Sequence, residues 1–111
     1  MTFLMSELPT SYTLMLTDEH WAAIQALPHK SQQEDAIAFL MSYAPNTPKQ
    51  LLPNGKLKRL HGEHRHLWQY DIDRSYRIIY SVDESARTVV VEYIGSHPSW
   101  GSSVRGRRIR N

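Results

Sequence analysis

Residues 67–100 read LWQYDIDRSYRIIYSVDESARTVVVEYIGSHPSW and decide the fold of this chain. Polar and apolar side chains alternate over residues 67–73, which predicts a strand with Trp68, Tyr70 and Ile72 on one face. Turn-forming residues at 73–75 and 83–87 separate it from two further strands, predicted over 76–82 and 88–94. Because these connections are too short for a parallel crossover, we predict three consecutive antiparallel strands.

The segment before this sheet predicts a short strand and two short helices. Residues 12–16 are the candidate strand. Thr17 is a helix N-cap, and Pro28 limits the helix that follows. The sequence SQQE at 31–34 predicts a capping box that starts the second helix, which ends near Tyr43 because Pro45 follows. The predicted buried stripes are Trp21, Ile24 and Leu27 in the first helix and Ile37, Leu40, Met41 and Ala44 in the second.

These elements predict an α+β domain of order βααβββ. Helices this short are not stable alone, so we expect a helical hairpin packed on one face of a small, mainly antiparallel sheet. Residues 44–56 are rich in Pro, Asn and Gly and are predicted to form a loop. We expect residues 1–10 to be a flexible leader, 11–100 a single domain and 101–111 a basic tail.

Composition excludes several classes of protein. The chain has 111 residues and no cysteine, which rules out disulfides and thiolate chemistry. No apolar run reaches the roughly 18 residues of a membrane span, and the first residues do not read as a signal peptide. We therefore expect a cytoplasmic protein that does not contact a membrane.

The charge is distributed unevenly along the chain. Residues 1–48 carry a net charge of −4 and residues 49–111 a net charge of +6, which together give the formal +2. A basic half that ends in RGRRIR at 105–110 indicates a polyanionic partner, although a solvated basic surface explains the same composition.

Three motifs in the C-terminal half carry a family resemblance: LWQY at 67–70, YRIIY at 76–80 and the valine-rich strand that ends in IGSH at 94–97. With the order βααβββ, they resemble the RelE/ParE superfamily of toxins from bacterial type II toxin–antitoxin systems. The ending IGSHPSW is most similar to the HigB and YafQ branches.

The resemblance implies a ribosome-dependent mRNA endoribonuclease that uses 2′-hydroxyl attack and no metal or other cofactor. Its partners would be the ribosome, mRNA and a cognate antitoxin. His97 would be the leading acid/base group, Arg77 would stabilise the phosphorane and Trp100 would stack on a base. The two lysines that RelE carries in the preceding strand correspond here to Gln69 and Asp71.

Each residue also has a plainer interpretation. His97 is equally an exposed loop histidine, and Trp100 equally covers the end of the core. Arg77 sits in an apolar strand, where an arginine either marks a site or pairs with a carboxylate, here Asp71 or Asp73. The basic run of Lys56, Lys58, Arg59 and Arg65 is predicted to contact RNA phosphates, but it also fits a solvated loop.

The histidine cluster at positions 61, 64 and 66 raises the question of a metal. Its spacing lacks the helical i, i+4 pair of common zinc sites, and no metal is expected. His64 or His66 is instead a candidate for a second acid/base group.

Two rival functions remain open from the sequence. ParE-type members are understood to inhibit DNA gyrase by binding it, without RNA cleavage. The missing strand lysines also leave room for an inactive member of the superfamily.

Overall fold

A computed structural model describes residues 11–52 and 54–96. The predicted leader, the predicted tail and residues His97 and Trp100 lie outside this part of the chain. The elements in chain order are β1 Thr13–Met15, α1 Asp18–Gln25, α2 Lys30–Ala38, a π-helical turn Phe39–Tyr43, β2 Leu57–Arg59, a 3₁₀ turn Gly62–His64, β3 Leu67–Asp71, β4 Tyr76–Asp83 and β5 Thr88–Ser96.

The sheet has five strands in the order β1-β5-β4-β3-β2. β3, β4 and β5 form the predicted antiparallel meander, and β1 adds to β5 in parallel. The sequence prediction missed β2, which pairs antiparallel with β3 through three residues. A strand this short, read in a run of alternating basic and leucine residues, carries too weak a periodic signal to separate it from a loop.

Both helices pack on one face of the sheet, as predicted. Ile24 and Leu27 from the region of α1 are buried, and the core continues through Tyr80 in β4. The ring of Phe39 stacks on Tyr70 of β3 at 3.8 Å between centroids. The α+β class and the helical hairpin on one face are therefore confirmed.

The second predicted stripe is partly wrong, and the second helix ends in a π-helical turn that the sequence did not predict. The Ala44 amide donates to the Phe39 carbonyl, five residues back, so the turn is wider than an α-helical one. The buried positions are Ala36, Phe39, Leu40 and Ala44, which have the spacing of one helical face, whereas Ile37 is only partly buried and Met41 is 53% exposed.

Two other local predictions fail. Trp21 is 39% exposed rather than part of the buried stripe of α1. The second helix begins at Lys30 and not after Ser31, because the Gln32 side-chain oxygen accepts from the amide of His29 and makes His29 the cap. Thr17 does cap α1, where its hydroxyl accepts from the His20 amide.

None of the helices in the described ranges, 11–52 and 54–96, is long and apolar enough to cross a bilayer.

Candidate functional site

The candidate site lies on the sheet face opposite the helices and is centred on Arg77 of β4. Side-chain alternation along β4 directs Ile78 and Tyr80 into the core, which leaves Arg77 on the other face. Its cross-strand partners are Asp71 in β3 and Gly95 in β5.

Arg77 is a buried cation whose hydrogen bonds are incomplete. The residue is only 5% exposed. One terminal nitrogen, Nη2, donates to the Arg74 carbonyl at 3.1 Å, whereas Nη1 lies 3.7 Å from Asp71 Oδ1, beyond hydrogen-bond distance. Nε is buried without an acceptor in the part of the chain that the structure describes. A guanidinium with donors left over is suited to an anion such as phosphate.

Asp71 links Arg77 to a second cation, Lys58 of β2. The Lys58 ammonium lies 3.2 Å from Asp71 Oδ2, and Gln69 Nε2 donates to Asp71 Oδ1 at 2.9 Å. Of the two predicted partners of Arg77, Asp71 is thus the one in contact. Asp73 accepts instead from the Gln32 side chain and from the amides of its own turn.

A β-bulge in β5 brings one unpredicted residue, Tyr93, to this face. Tyr80 pairs with Val91 but Ile79 pairs with Tyr93, so Glu92 is the extra residue. Strict alternation would have put Val91 and Tyr93 on one face. The bulge instead leaves Val91 in the core and moves Tyr93 to the face of Arg77, and bulges are common beside functional sites.

Tyr93 fits over Gly95 because position 95 has no side chain. A Cβ on Gly95 would lie 3.0 Å from the Tyr93 hydroxyl. That hydroxyl donates to the Ser96 carbonyl at 2.5 Å. No simple sequence signal predicts Tyr93 here, since the bulge is visible only once the strands are paired.

The described chain stops one residue short of His97. β5 ends at Ser96, which pairs with Tyr76, the neighbour of Arg77 in β4. The role predicted for His97, that predicted for Trp100 and the likeness of IGSHPSW to HigB and YafQ therefore stay predictions.

The structure does not bring His64 and His66 to Arg77. Both precede Leu67, at the opposite end of β3 from Asp71. Asp71 follows Leu67 by four positions along the strand, which is roughly 13 Å at 3.3 Å per residue. This order of residues places both histidines away from the Arg77 end of β3, and their acid/base role stays a prediction.

The predicted basic run is divided between the two sides of the sheet. Of its four residues, Lys58 is the one that contacts Asp71, the carboxylate beside Arg77. Lys56 points to the helical side, where its ammonium lies 3.1 Å from Asp35 of α2. Arg59 lies over the ring of Trp68 and its Nε donates to the Arg65 carbonyl at 2.6 Å, so Arg59 and Arg65 brace the connection between β2 and β3.

The contact between Lys56 and Asp35 includes a third group, Tyr70. The Tyr70 hydroxyl donates to Asp35 Oδ1 at 2.5 Å. Burial, followed by this hydrogen bond, raises the pKa of Tyr70. Burial lowers the pKa of Lys56, but its bonds to Asp35 and Tyr70 outweigh that effect and raise it, so the ammonium is held by its partners. Lys56 therefore connects the start of β2 to α2, and it lies on the other side of the sheet from Lys58, Asp71 and Arg77.

Residues 11–52 and 54–96 contain no group of three His, Asp or Glu side chains placed to hold a metal ion. Around Arg77 the described residues supply two cations, Lys58 and Arg77, with the Asp71 carboxylate between them.

Neither a protein-family model nor a curated protein sequence matches this chain. Solved structures do match its fold. The toxin–antitoxin complex RelBE2 from Mycobacterium tuberculosis has a TM-score of 0.61 at 20% identity, covering 78% of this chain and 99% of the other. The YoeB/ParE toxin from Agrobacterium tumefaciens has a TM-score of 0.61 at 24% identity, with the same coverage. The archaeal RelE–RelB complex from Pyrococcus horikoshii OT3 has a TM-score of 0.60 at 20% identity and covers 80% and 98%.

These matches show that the chain has the RelE-like fold, as its sequence motifs predict. They span nearly the whole length of each neighbour, so the chain contains the complete fold. At such identities the likeness concerns the fold, and the activity has to be argued from the site.

Proposed function

We propose that this protein is the toxin of a type II toxin–antitoxin system and an endoribonuclease that cleaves mRNA on the ribosome. The observation that carries the proposal is the buried, incompletely paired Arg77 on the helix-free face of a RelE-like sheet. A structural ion pair would place the guanidinium in hydrogen-bond contact with its carboxylate. The 3.7 Å gap to Asp71 and the unused Nε favour a phosphate site.

The proposed chemistry is attack of a ribose 2′-hydroxyl on the adjacent phosphorus, with departure of the 5′-oxygen. Arg77 neutralises the charge on the phosphorane oxygens, because its fork matches them and stays protonated. Lys58 holds the same backbone from β2, on the far side of β3. His97, which follows Ser96 at the end of β5, takes or gives the proton, since the pKa of imidazole lies near working pH. Trp100 stacks on a base.

A cognate antitoxin is the proposed protein partner. The RelBE2 neighbour is a toxin–antitoxin complex by name, and the Pyrococcus horikoshii neighbour is a RelE–RelB complex. The chain offers a basic C-terminal half, net +6 over residues 49–111, for an acidic partner to cover.

The experiment is cell-free translation with purified protein, mapping mRNA 5′ ends on the ribosome. Wild type should produce cuts. His97→Ala should lower the cleavage rate by about 10²–10⁴-fold, the usual contribution of an acid/base group. Arg77→Gln should lower it by about 10²–10³-fold, as for loss of one group that stabilises transition-state charge.

Two matched controls use residues away from Arg77. Arg59→Gln removes an arginine that lies against Trp68, and His66→Ala removes a histidine at the far end of β3. Each should change the rate less than tenfold. Cuts that survive His97→Ala but vanish in His66→Ala would assign the acid/base role to His66 instead of His97. Intact mRNA with inhibited gyrase supercoiling would overturn the proposal in favour of a ParE-like binder, and intact mRNA with unaffected supercoiling would indicate an inactive member.

A further inference from the structure

We propose that Asp71 is an internal competitor of the RNA phosphate, occupying Lys58 and Arg77 in the free protein until a phosphodiester replaces it. This inference rests on the proposed function, because it identifies the ligand of Arg77 as an RNA phosphate. It identifies a residue that weakens RNA binding, whereas the residues named under the proposed function strengthen it.

The geometry places one carboxylate between two cations. Asp71 Oδ2 lies 3.2 Å from the Lys58 ammonium, and Oδ1 lies 3.7 Å from Arg77 Nη1. Asp71 and Arg77 are directly paired across β3 and β4, and Lys58 pairs with Gln69, two residues before Asp71 on the same face. The three charges therefore converge from three adjacent strands.

The order of exposure puts Asp71 on the route to Arg77. The side chains of Lys58, Asp71 and Arg77 are 51%, 24% and 7% exposed, so the carboxylate lies between the outer cation and the buried one. An anion that approaches the guanidinium from Lys58 meets the Asp71 carboxylate first. The phosphate and the Asp71 carboxylate are both negative and repel each other. The two anions must therefore share Lys58 and Arg77, or Asp71 must release them.

The contacts of Asp71 are those of an exchangeable ligand. Arg77 keeps its bond to the Arg74 carbonyl without Asp71, so the guanidinium stays oriented when the carboxylate leaves. The hydrogen bond that Gln69 donates to Asp71 comes from a neutral amide, at 2.9 Å. The Lys58 side chain is half-exposed, so its contact with Asp71 is open to solvent. A phosphodiester that displaces Asp71 can therefore take both cations with Arg77 already in place.

The test is binding of a short labelled polyuridine RNA, measured by fluorescence anisotropy over a series of salt concentrations. Asp71→Asn keeps the shape and the acceptor for Gln69 but removes the charge. It should bind roughly three- to tenfold more tightly than wild type at low salt. The slope of log affinity against log salt should steepen by about 0.7 for each additional phosphate that the variant neutralises.

Glu92→Gln is the matched control. It removes one negative charge from β5 and keeps an acceptor for the Ser81 hydroxyl, which Glu92 contacts at 2.8 Å. It should bind within about twofold of wild type, because its charge does not occupy the two cations. The double variant Asp71→Asn/Arg77→Gln should lose most of the increase in affinity, since that increase requires Arg77.

The outcomes separate this inference from the proposed function. RNA binding by wild type that Asp71→Asn fails to exceed, or exceeds no more than Glu92→Gln does, would overturn the inference and leave the nuclease proposal standing. An increase in affinity that persists in full without Arg77 would also overturn it. Absence of RNA binding by wild type and Asp71→Asn alike, with intact ribosome-bound mRNA, would remove the proposed function and this inference together.

Discussion

Arg77 is a residue at which stability and the proposed function favour opposite arrangements. Burying a cation costs free energy that only well-formed pairs and hydrogen bonds return. Here the arginine side chain is only 7% exposed, one nitrogen has no acceptor within the described ranges, and the nearest carboxylate stands at 3.7 Å. An arrangement of this kind is expected where a ligand supplies the missing contacts.

The first residue-scale prediction follows from this imbalance. Arg77→Met replaces the guanidinium with an apolar chain of similar length beside buried Ile79, while Asp71 keeps its contact with Lys58. We expect the free energy of unfolding to stay within about 1 kcal/mol of wild type or to rise, although RNA binding is lost. Urea unfolding followed by circular dichroism measures it.

Arg59→Met provides the comparison for this variant, since Arg59 is an exposed arginine that donates to the Arg65 carbonyl. A loss of more than about 2 kcal/mol in Arg77→Met would identify Arg77 as a structural ion-pair partner and count against the phosphate site.

At this scale the sequence predicts the face of a residue but not its contacts. Two-residue alternation places Gln69, Asp71 and Arg77 together, and the structure agrees. It does not reveal that Nε lacks an acceptor or that the Lys56 side chain turns toward Asp35 while Lys58 meets Asp71. Those features depend on which elements pack against each side of β2.

Among the elements, the turn between β3 and β4 connects the helical layer to the site. Asp73 accepts from the Gln32 side chain of α2 at 2.6 Å and from the amides of Ser75 and Tyr76. The next residue, Arg74, supplies the carbonyl that orients Arg77. The N-terminal part of α2 therefore helps to fix the position of the guanidinium through this turn.

The element-scale prediction concerns pH. The hydrogen bond from Gln32, followed by those from the turn amides, lowers the pKa of Asp73 from its ordinary 3.8. A carboxyl with a lowered folded-state pKa stabilises the fold above its unfolded pKa and loses that contribution as pH falls through the folded value. The stability advantage of wild type over Asp73→Asn should therefore be greatest near pH 6 and shrink below about pH 4. Urea unfolding across this range measures it.

Gln32→Met tests the same contact from the other side. The substitution removes the side chain that donates to Asp73 and leaves the Asp73 carboxyl in place. The free energy of unfolding of Gln32→Met should therefore fall less between about pH 6 and pH 3 than that of wild type. A gap between wild type and Asp73→Asn that is constant over this range would show that the charge of Asp73 does not stabilise the turn.

The elements differ in how well the sequence defines them. The β3–β4–β5 meander is predicted to within two residues at every strand end, because alternation, β-branched residues and turn signals coincide over a long stretch. The π-helical turn and the bulge at Glu92 are not predicted, since each inserts one residue into a regular period. The bulge places Tyr93 on the face of Arg77.

For the whole molecule, the two faces of the sheet divide the core from the proposed RNA-binding site. Its helical face carries the core and is tied to α2 by the contacts that Lys56 and Tyr70 make with Asp35. Its other face carries Lys58, Asp71 and Arg77. The sequence predicts this division only in part: it assigns the helices to one face, but it groups Lys56 with Lys58.

The molecular-scale prediction is that Asp35→Ala weakens the fold without weakening RNA binding. The variant removes the acceptor of the buried Tyr70 hydroxyl and the partner of Lys56. We expect the free energy of unfolding to fall by about 1–3 kcal/mol, mainly through the lost charged hydrogen bond, since the Lys56 pair is partly exposed. Glu34→Ala, which removes the adjacent exposed carboxylate of α2, should change it by less than about 0.5 kcal/mol.

Both variants lose one negative charge, so their affinities for polyuridine RNA below the unfolding transition should agree within about twofold. A selective loss of affinity in Asp35→Ala would mean that the helical face and the site are coupled through β3, and Lys56 would then belong with the RNA-binding residues as its sequence position predicts.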